Sequence, residues 1–130
     1  MLRTLLVMFF SFALQEEIMA QKTNGHPTAS EQALIVSIRL SDASFGTHEE
    51  REKLFKLEDK LITAIKSSSA GEYDGNEIGG GTFTMYMYGA STARLWEVVS
   101  PIIRTLPPAT GSYAIERYGG PGAKEDRIPL

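Results

Sequence analysis

The chain contains no cysteine, only two histidines and a single tryptophan in 130 residues. Without a thiol there can be no disulfide, no thiolate metal centre, no cysteine nucleophile and no lipid-modified cysteine at a processing site. There is no excess of positive charge either. Thirteen Lys and Arg against sixteen Asp and Glu leave a formal net charge of −3, which argues against a nucleic-acid partner, since that needs a basic footprint. Nor is there an apolar run of about 20 residues, the length that spans a bilayer as a helix. No G-x-S-x-G nucleophile motif occurs, and no glycine-rich loop opens onto a helix as a phosphate cradle requires.

What is present is the balance of an ordinary globular domain, 42% hydrophobic and 22% charged. The first 20 residues differ from the rest. Arg3 precedes the apolar stretch from Thr4 to Leu14, and Ile18-Met19-Ala20 ends it. A charged start, an apolar segment too short to span and a small residue at the cut are the features of a signal peptide. We therefore expect 1–20 to be a signal peptide and the product to be exported, periplasmic or secreted, with no membrane span after cleavage. Loss of Arg3, Glu16 and Glu17 moves the formal net charge from −3 to −2. An export signal with no cysteine fits a bacterial envelope protein better than a small eukaryotic secreted domain, which disulfides would usually staple. Residues 21–32, QKTNGHPTASEQ, are polar and broken by Asn-Gly and His-Pro, and read as a linker.

The folded domain is expected over 33–118, with 119–130 as a flexible tail. ALIVSIRL (33–40) alternates as a strand, with Leu34, Val36, Ile38 and Leu40 on one face and Ile35, Ser37 and Arg39 on the other. Thr47-His48-Glu49-Glu50 has the form of a helix capping box. Leu54, Leu57, Leu61 and Ile65 then recur at helical spacing, with Phe55 and Ile62 widening the stripe. The helix should fade at Ser67–Ser69. Next comes GEYDGNEIGGGTFTMYMYG (71–89): a strand irregular at Asp74-Gly75, a turn at Gly79–Gly81, and a strand with Phe83, Met85 and Met87 opposite Thr82, Thr84, Tyr86 and Tyr88. Ser91 or Thr92 caps a second helix that carries Leu95, Trp96, Val98, Val99, Ile102, Ile103 and Leu106, with Pro101 inside it. GSYAIERY (111–118) is the last strand.

The order β-α-β-β-α-β predicts an α+β domain of the ferredoxin-like kind, a four-stranded antiparallel sheet with both helices on one face. If the alternating apolar residues meet the helices, the open face carries Ser37, Arg39, Thr84, Tyr86 and Tyr88. The mixed pattern of the last strand adds either Tyr113 and Arg117 or Glu116 and Tyr118; we assign the first pair. Arg39, Thr84, Tyr86, Tyr88, Tyr113 and Arg117 are thus the candidate ligand or partner face.

The strands ALIVSIRLSDASFGTHEE, GEYDGNEIGGGTFTMYMYG and SYAIERYGGPG together resemble a family of small bacterial proteins of unknown function. Such members pair a Gly-Glu-aromatic-Asp-Gly segment with a glycine-rich turn and a Tyr-x-Tyr-Gly strand. The resemblance covers about residues 34–122. It implies no established activity and no catalytic residues.

Three kinds of function are compatible with these residues. Asp74-Gly75-Asn76 begins like a calcium-binding loop, yet positions 5 and 12 are Ile78 and Met85, so an EF-hand is excluded. A looser divalent cation site from Glu72, Asp74 and Asn76 requires that alternate strand residues share a face; carboxylates also serve simply to protect an edge strand. Tyr86 and Tyr88 lie where RNA-recognition domains stack bases, but the basic start of that motif is missing. The leading expectation is a non-catalytic binding or interaction module with no cofactor, working as a homodimer or with an envelope protein. The alternative is a small dimeric enzyme of the α+β-barrel type, in which paired sheets enclose a pocket, Tyr86, Tyr88 and Arg39 bind substrate, and an acidic residue of 72–77 moves protons. The helix stripes and Trp96 are read as core.

Overall fold

A computed structural model of the protein describes residues 31–107 and 109–130. The expected signal peptide and nearly all of the expected linker lie outside these residues. The elements run β1 (Gln32–Arg39), α1 (His48–Ser68), β2 (Glu72–Gly79), β3 (Thr82–Gly89), α2 (Thr92–Ile103), β4 (Tyr113–Arg117) and β5 (Glu125–Pro129). The strands form one sheet in the order β2-β3-β1-β4-β5, and every neighbouring pair is antiparallel. The protein is an α+β domain, with β1 at the centre of its sheet. Among the described residues no helix is long and apolar enough to cross a membrane.

Alternation along β1 and β3 determines which side of the sheet becomes the core. Leu34, Val36 and Ile38 stand directly opposite Met87, Met85 and Phe83, and all six are buried. Onto them pack Leu54, Leu57, Leu61 and Ile65 of α1 and Leu95, Val99 and Ile103 of α2, one continuous cluster on one face of the sheet. The outer parts of the expected α1 stripe are different. Phe55 and Ile62 remain exposed, although Phe55 still touches the Phe83 ring edge-on at a centroid distance of 5.9 Å. Spacing placed them beside the stripe, but among the described residues no element covers them.

The capping box forms as the residues dictate. The Glu50 amide donates to Thr47 Oγ1 at 3.1 Å, and the Thr47 amide donates to Glu50 Oε2 at 2.7 Å. Glu50 also accepts from the amide and hydroxyl of Ser41, so one carboxylate fastens the β1–α1 loop to the helix start. Between β2 and β3 the loop is Gly80-Gly81, both with positive φ (60° and 83°). That is the backbone a two-residue type I′ hairpin needs, and it explains the glycine run without a ligand.

The expected four-stranded sheet is corrected to five strands, and the expected tail 119–130 contains the fifth. Residues 119–122, Gly-Gly-Pro-Gly, are a turn that brings the chain back along β4, with Ile128 and Leu130 packed against the core. Glycine and proline there resemble a disordered tail in composition but act as a hairpin connection. Pro129 is tolerated because β5 is an edge strand, where a missing N–H interrupts no ladder.

Candidate functional site

With both helices on one side, the register fixes the composition of the open face. Across the sheet from β2 to β5, one row reads Glu72, Tyr88, Ala33, Arg117, Glu125. The next reads Gly75, Tyr86, Ile35, Ile115, Arg127, and the third Glu77, Thr84, Ser37, Tyr113, Pro129. Gly79, Thr82 and Arg39 continue the array at one end. Arg39, Thr84, Tyr86, Tyr88, Tyr113 and Arg117 therefore all stand on the same side of the sheet. Glu116 shares the other side with Leu34.

The floor of this face is the central strand, where Ala33 has no exposure and Ser37 is 5% exposed. The walls are aromatic: Tyr86 and Tyr88 on β3, and Tyr113 on β4. The Tyr86 hydroxyl donates to Glu77 Oε2 at 3.0 Å. Partial burial, and then the neighbouring Glu77 carboxylate, push the Tyr86 phenol above its ordinary value, so it stays a neutral donor at any physiological pH. Across β1, the Arg127 guanidinium lies 3.5 Å from the centre of the Tyr113 ring, a cation–π stack. Arg117 donates through Nε to the Gly119 carbonyl at 3.0 Å, which ties it to the β4–β5 turn. At the hairpin end, Glu77, Ile78, Gly79, Thr82 and Thr84 line a shallow depression open to solvent.

Charge on this surface is sorted by strand. Glu72 and Glu77 occupy the β2 side, and Arg117 and Arg127 the β4–β5 side, with Glu125 beside Arg117 at one corner. The middle is apolar and aromatic. Chemically the face offers ring faces, phenol hydroxyls and guanidinium groups. Among the described residues it carries no histidine to act as a base, and His48 is an exposed residue of α1, 4.0 Å from Glu52.

The alternative of a cation site built from Glu72, Asp74 and Asn76 is not formed. Register between β2 and β3 shifts at Asp74, where one extra residue bulges out of the ladder. Beyond the bulge, alternation is inverted. Glu72 remains on the open face, while Asn76 turns to the helix side and donates Nδ2 to Glu58 Oε2. Ligands on opposite sides of a sheet cannot converge on one ion. Among the described residues no group of three or more His, Asp or Glu side chains is placed to hold a metal.

Several members of the face were not foreseen. Arg127 and Glu125 come from the strand read as a tail. Glu77, the partner of Tyr86, reaches the open face only because of the bulge. The alternation Glu125, Arg127, Pro129 about Ile128 is the one signal in the sequence that pointed to β5. No family model, curated protein or solved structure matches this chain, so its function rests on the geometry of this face.

Proposed function

We propose that the protein is exported and acts as a non-catalytic interaction module, a ferredoxin-like βαββαβ domain extended by a fifth strand, whose open sheet face receives another macromolecule. The apolar run after Arg3 supports export. The strand order with β1 and β3 at the centre and both helices on one face supports the fold assignment, with β5 as an addition at the β4 edge.

The observation that carries the functional reading is the gathering of Tyr86, Tyr88 and Tyr113 with Ile35, Ile115, Arg117 and Arg127 on one face that none of the described helices covers. Tyrosine and arginine are the side chains that most often dominate interface energetics, because each presents a rigid flat surface with polar groups at its end. A shallow, open surface suits a macromolecule better than a small substrate, which needs a concave pocket.

A photo-crosslinking amino acid at position 86 or 88, in the cells that naturally make the protein, tests this. We expect an adduct of defined mass at either position and none at Lys56, an exposed position on α1. Absence of any adduct at 86 and 88 above the Lys56 background would refute the proposal.

A further inference from the structure

The edge of the sheet at β2 and the outer side of α1 meet in a half-built groove. We infer that this groove takes a sixth strand from a partner, an extended segment whose side chains alternate between apolar and basic. The groove is separate from the open sheet face.

β2 lies at the end of the sheet, with β3 as its strand neighbour. Gly79 and Thr82 close the two-residue turn between them, and such a closing pair exchanges its backbone hydrogen bonds. Counting back in twos, Glu77 and Gly75 also bond to β3, while the peptide groups of Asn76 and Ile78 point outward. The side chains of those two residues lie on the helix side, where Asn76 donates to Glu58 and Ile78 packs on the core. Outward amides and carbonyls of this kind are what β-strand addition uses.

The helix forms the second wall. Leu54, Leu57, Leu61 and Ile65 of α1 are buried in the core. At ~100° per residue, Glu58 lies roughly 50° round from that stripe, on the side of β2, where it accepts from Tyr73 and Asn76. Phe55 and Ile62 lie roughly 50° further in the same direction and so overhang the β2 edge. They are 39% and 40% exposed. A strand added about 4.8 Å beyond β2 runs beneath them and buries its helix-side residues against both.

Charge selects the partner. Glu72, Asp74 and Glu77 are exposed on β2, a strand with no Lys or Arg. Among the described residues none of the three is in an ion pair. Glu72 and Glu77 stand on the side of the sheet away from the helices. An added strand therefore meets apolar side chains on one side and carboxylates on the other. A second β2 laid along this edge would bring these acids against their own copies, which is unfavourable. The carboxylates that discourage self-pairing favour lysine or arginine at alternate positions of a different strand.

NMR titration of the isotope-labelled full chain with a short synthetic peptide of alternating valine and lysine tests the inference. On binding, hydrogen exchange at the Asn76 and Ile78 amides should slow at least about tenfold, while Glu77, already bonded to β3, should not change. Glu72→Lys and Ile62→Ser, both at exposed positions, should each weaken binding at least about tenfold. Circular dichroism spectra identical to the wild type establish that both variants fold. A peptide of alternating valine and glutamate should not bind. Unchanged exchange at Asn76 and Ile78, equal binding of the glutamate peptide, or folded variants that bind like the wild type would each overturn the inference. Chemical-shift changes centred on Tyr86 and Tyr88 would overturn it too, by placing the peptide on the open face. So would protection of Asn76 and Ile78 already present without peptide, since residues 1–30 or a second copy would then hold the edge. Crosslinks from positions 86 and 88 report on the open face alone, so either reading can fail without the other.

Discussion

The Tyr73 hydroxyl on β2 donates to Oε2 of Glu58 on α1 at 2.5 Å, and Asn76 donates to the same oxygen. Residues 73 and 76 are an odd number apart and would lie on opposite faces of a regular strand. The bulge at Asp74 absorbs one residue and turns both side chains toward the helix. One irregularity therefore does two things: it anchors the edge strand to α1, and it presents Glu77 rather than Asn76 beside Tyr86.

Replacement of Glu58 by Ala leaves the half-buried phenol and amide without their acceptor, at a cost of about 1–3 kcal/mol. Burial, and then Glu58, hold the Tyr73 phenol well above its ordinary value. Because the folded value is the higher, its contribution to stability is complete below the unfolded value near 10 and is lost as pH rises through the folded one. Urea unfolding should therefore show a lower midpoint for Glu58→Ala. Absorbance titration of the folded variant should move the Tyr73 transition down, though not to 10, since burial remains. An unchanged midpoint together with an unchanged titration would contradict the anchor.

Glu50 predicts the opposite pH dependence. Hydrogen bonds from the Thr47 amide, then from the Ser41 hydroxyl and amide, draw its carboxyl down to about 2 from its ordinary 4.5. A depressed folded value means stability present above the unfolded value and lost as pH falls through the folded one, here between about 4.5 and 2. Thermal melts of the wild type should lose stability through this window. Glu50→Ala should melt lower than the wild type at neutral pH, and the gap between the two should close toward pH 2. A constant gap across the window would show that the carboxylate does not fasten the loop.

Much of this architecture is legible in the sequence, and for identifiable reasons. Strict alternation in Leu34–Val36–Ile38 and Phe83–Met85–Met87 leaves one choice of face, and Thr47 with Glu50 leaves one choice of helix start. The type I′ turn at Gly80-Gly81 follows from the need for two positive φ values in succession. What was hidden depends on pairing rather than on local pattern. A bulge exists only relative to a partner strand, so the face of Asn76 could not be read from β2 alone. The strand β5 has one apolar side chain facing the core from within it, Ile128, too little to distinguish it from a tail until β4 is beside it.

The C-cap of α1 offers a stabilising substitution. Ser69 has φ 53° and ψ 30°, the left-handed conformation, and its amide and that of Ala70 donate back to Lys66 and Ile65. A side chain in that conformation costs about 1 kcal/mol, which glycine avoids. Glycine also gains freedom in the unfolded chain, which offsets part of the benefit. Ser69→Gly should raise the melting temperature by a few degrees, roughly 2–4 °C. A fall in Tm would mean that the serine is not strained there.

The last strand gives the sharpest test of the fold. Ile128 is half-buried, pairs opposite Ala114 and packs on the core, while Arg127 beside it stacks on Tyr113 across the sheet. Ile128→Ser removes apolar contact at a cost of about 1 kcal/mol, less than for a fully buried side chain. Loss of β5 frees only those β4 amides that donate outward, because alternate residues of β4 are bonded to β1. Hydrogen exchange of the variant should therefore accelerate at alternate positions from 113 to 117 and leave the others protected. Uniform acceleration along β4 would mean that β5 is integral to the whole sheet rather than a strand added at its edge. No change at any position would mean that residues 125–129 are not held there at all.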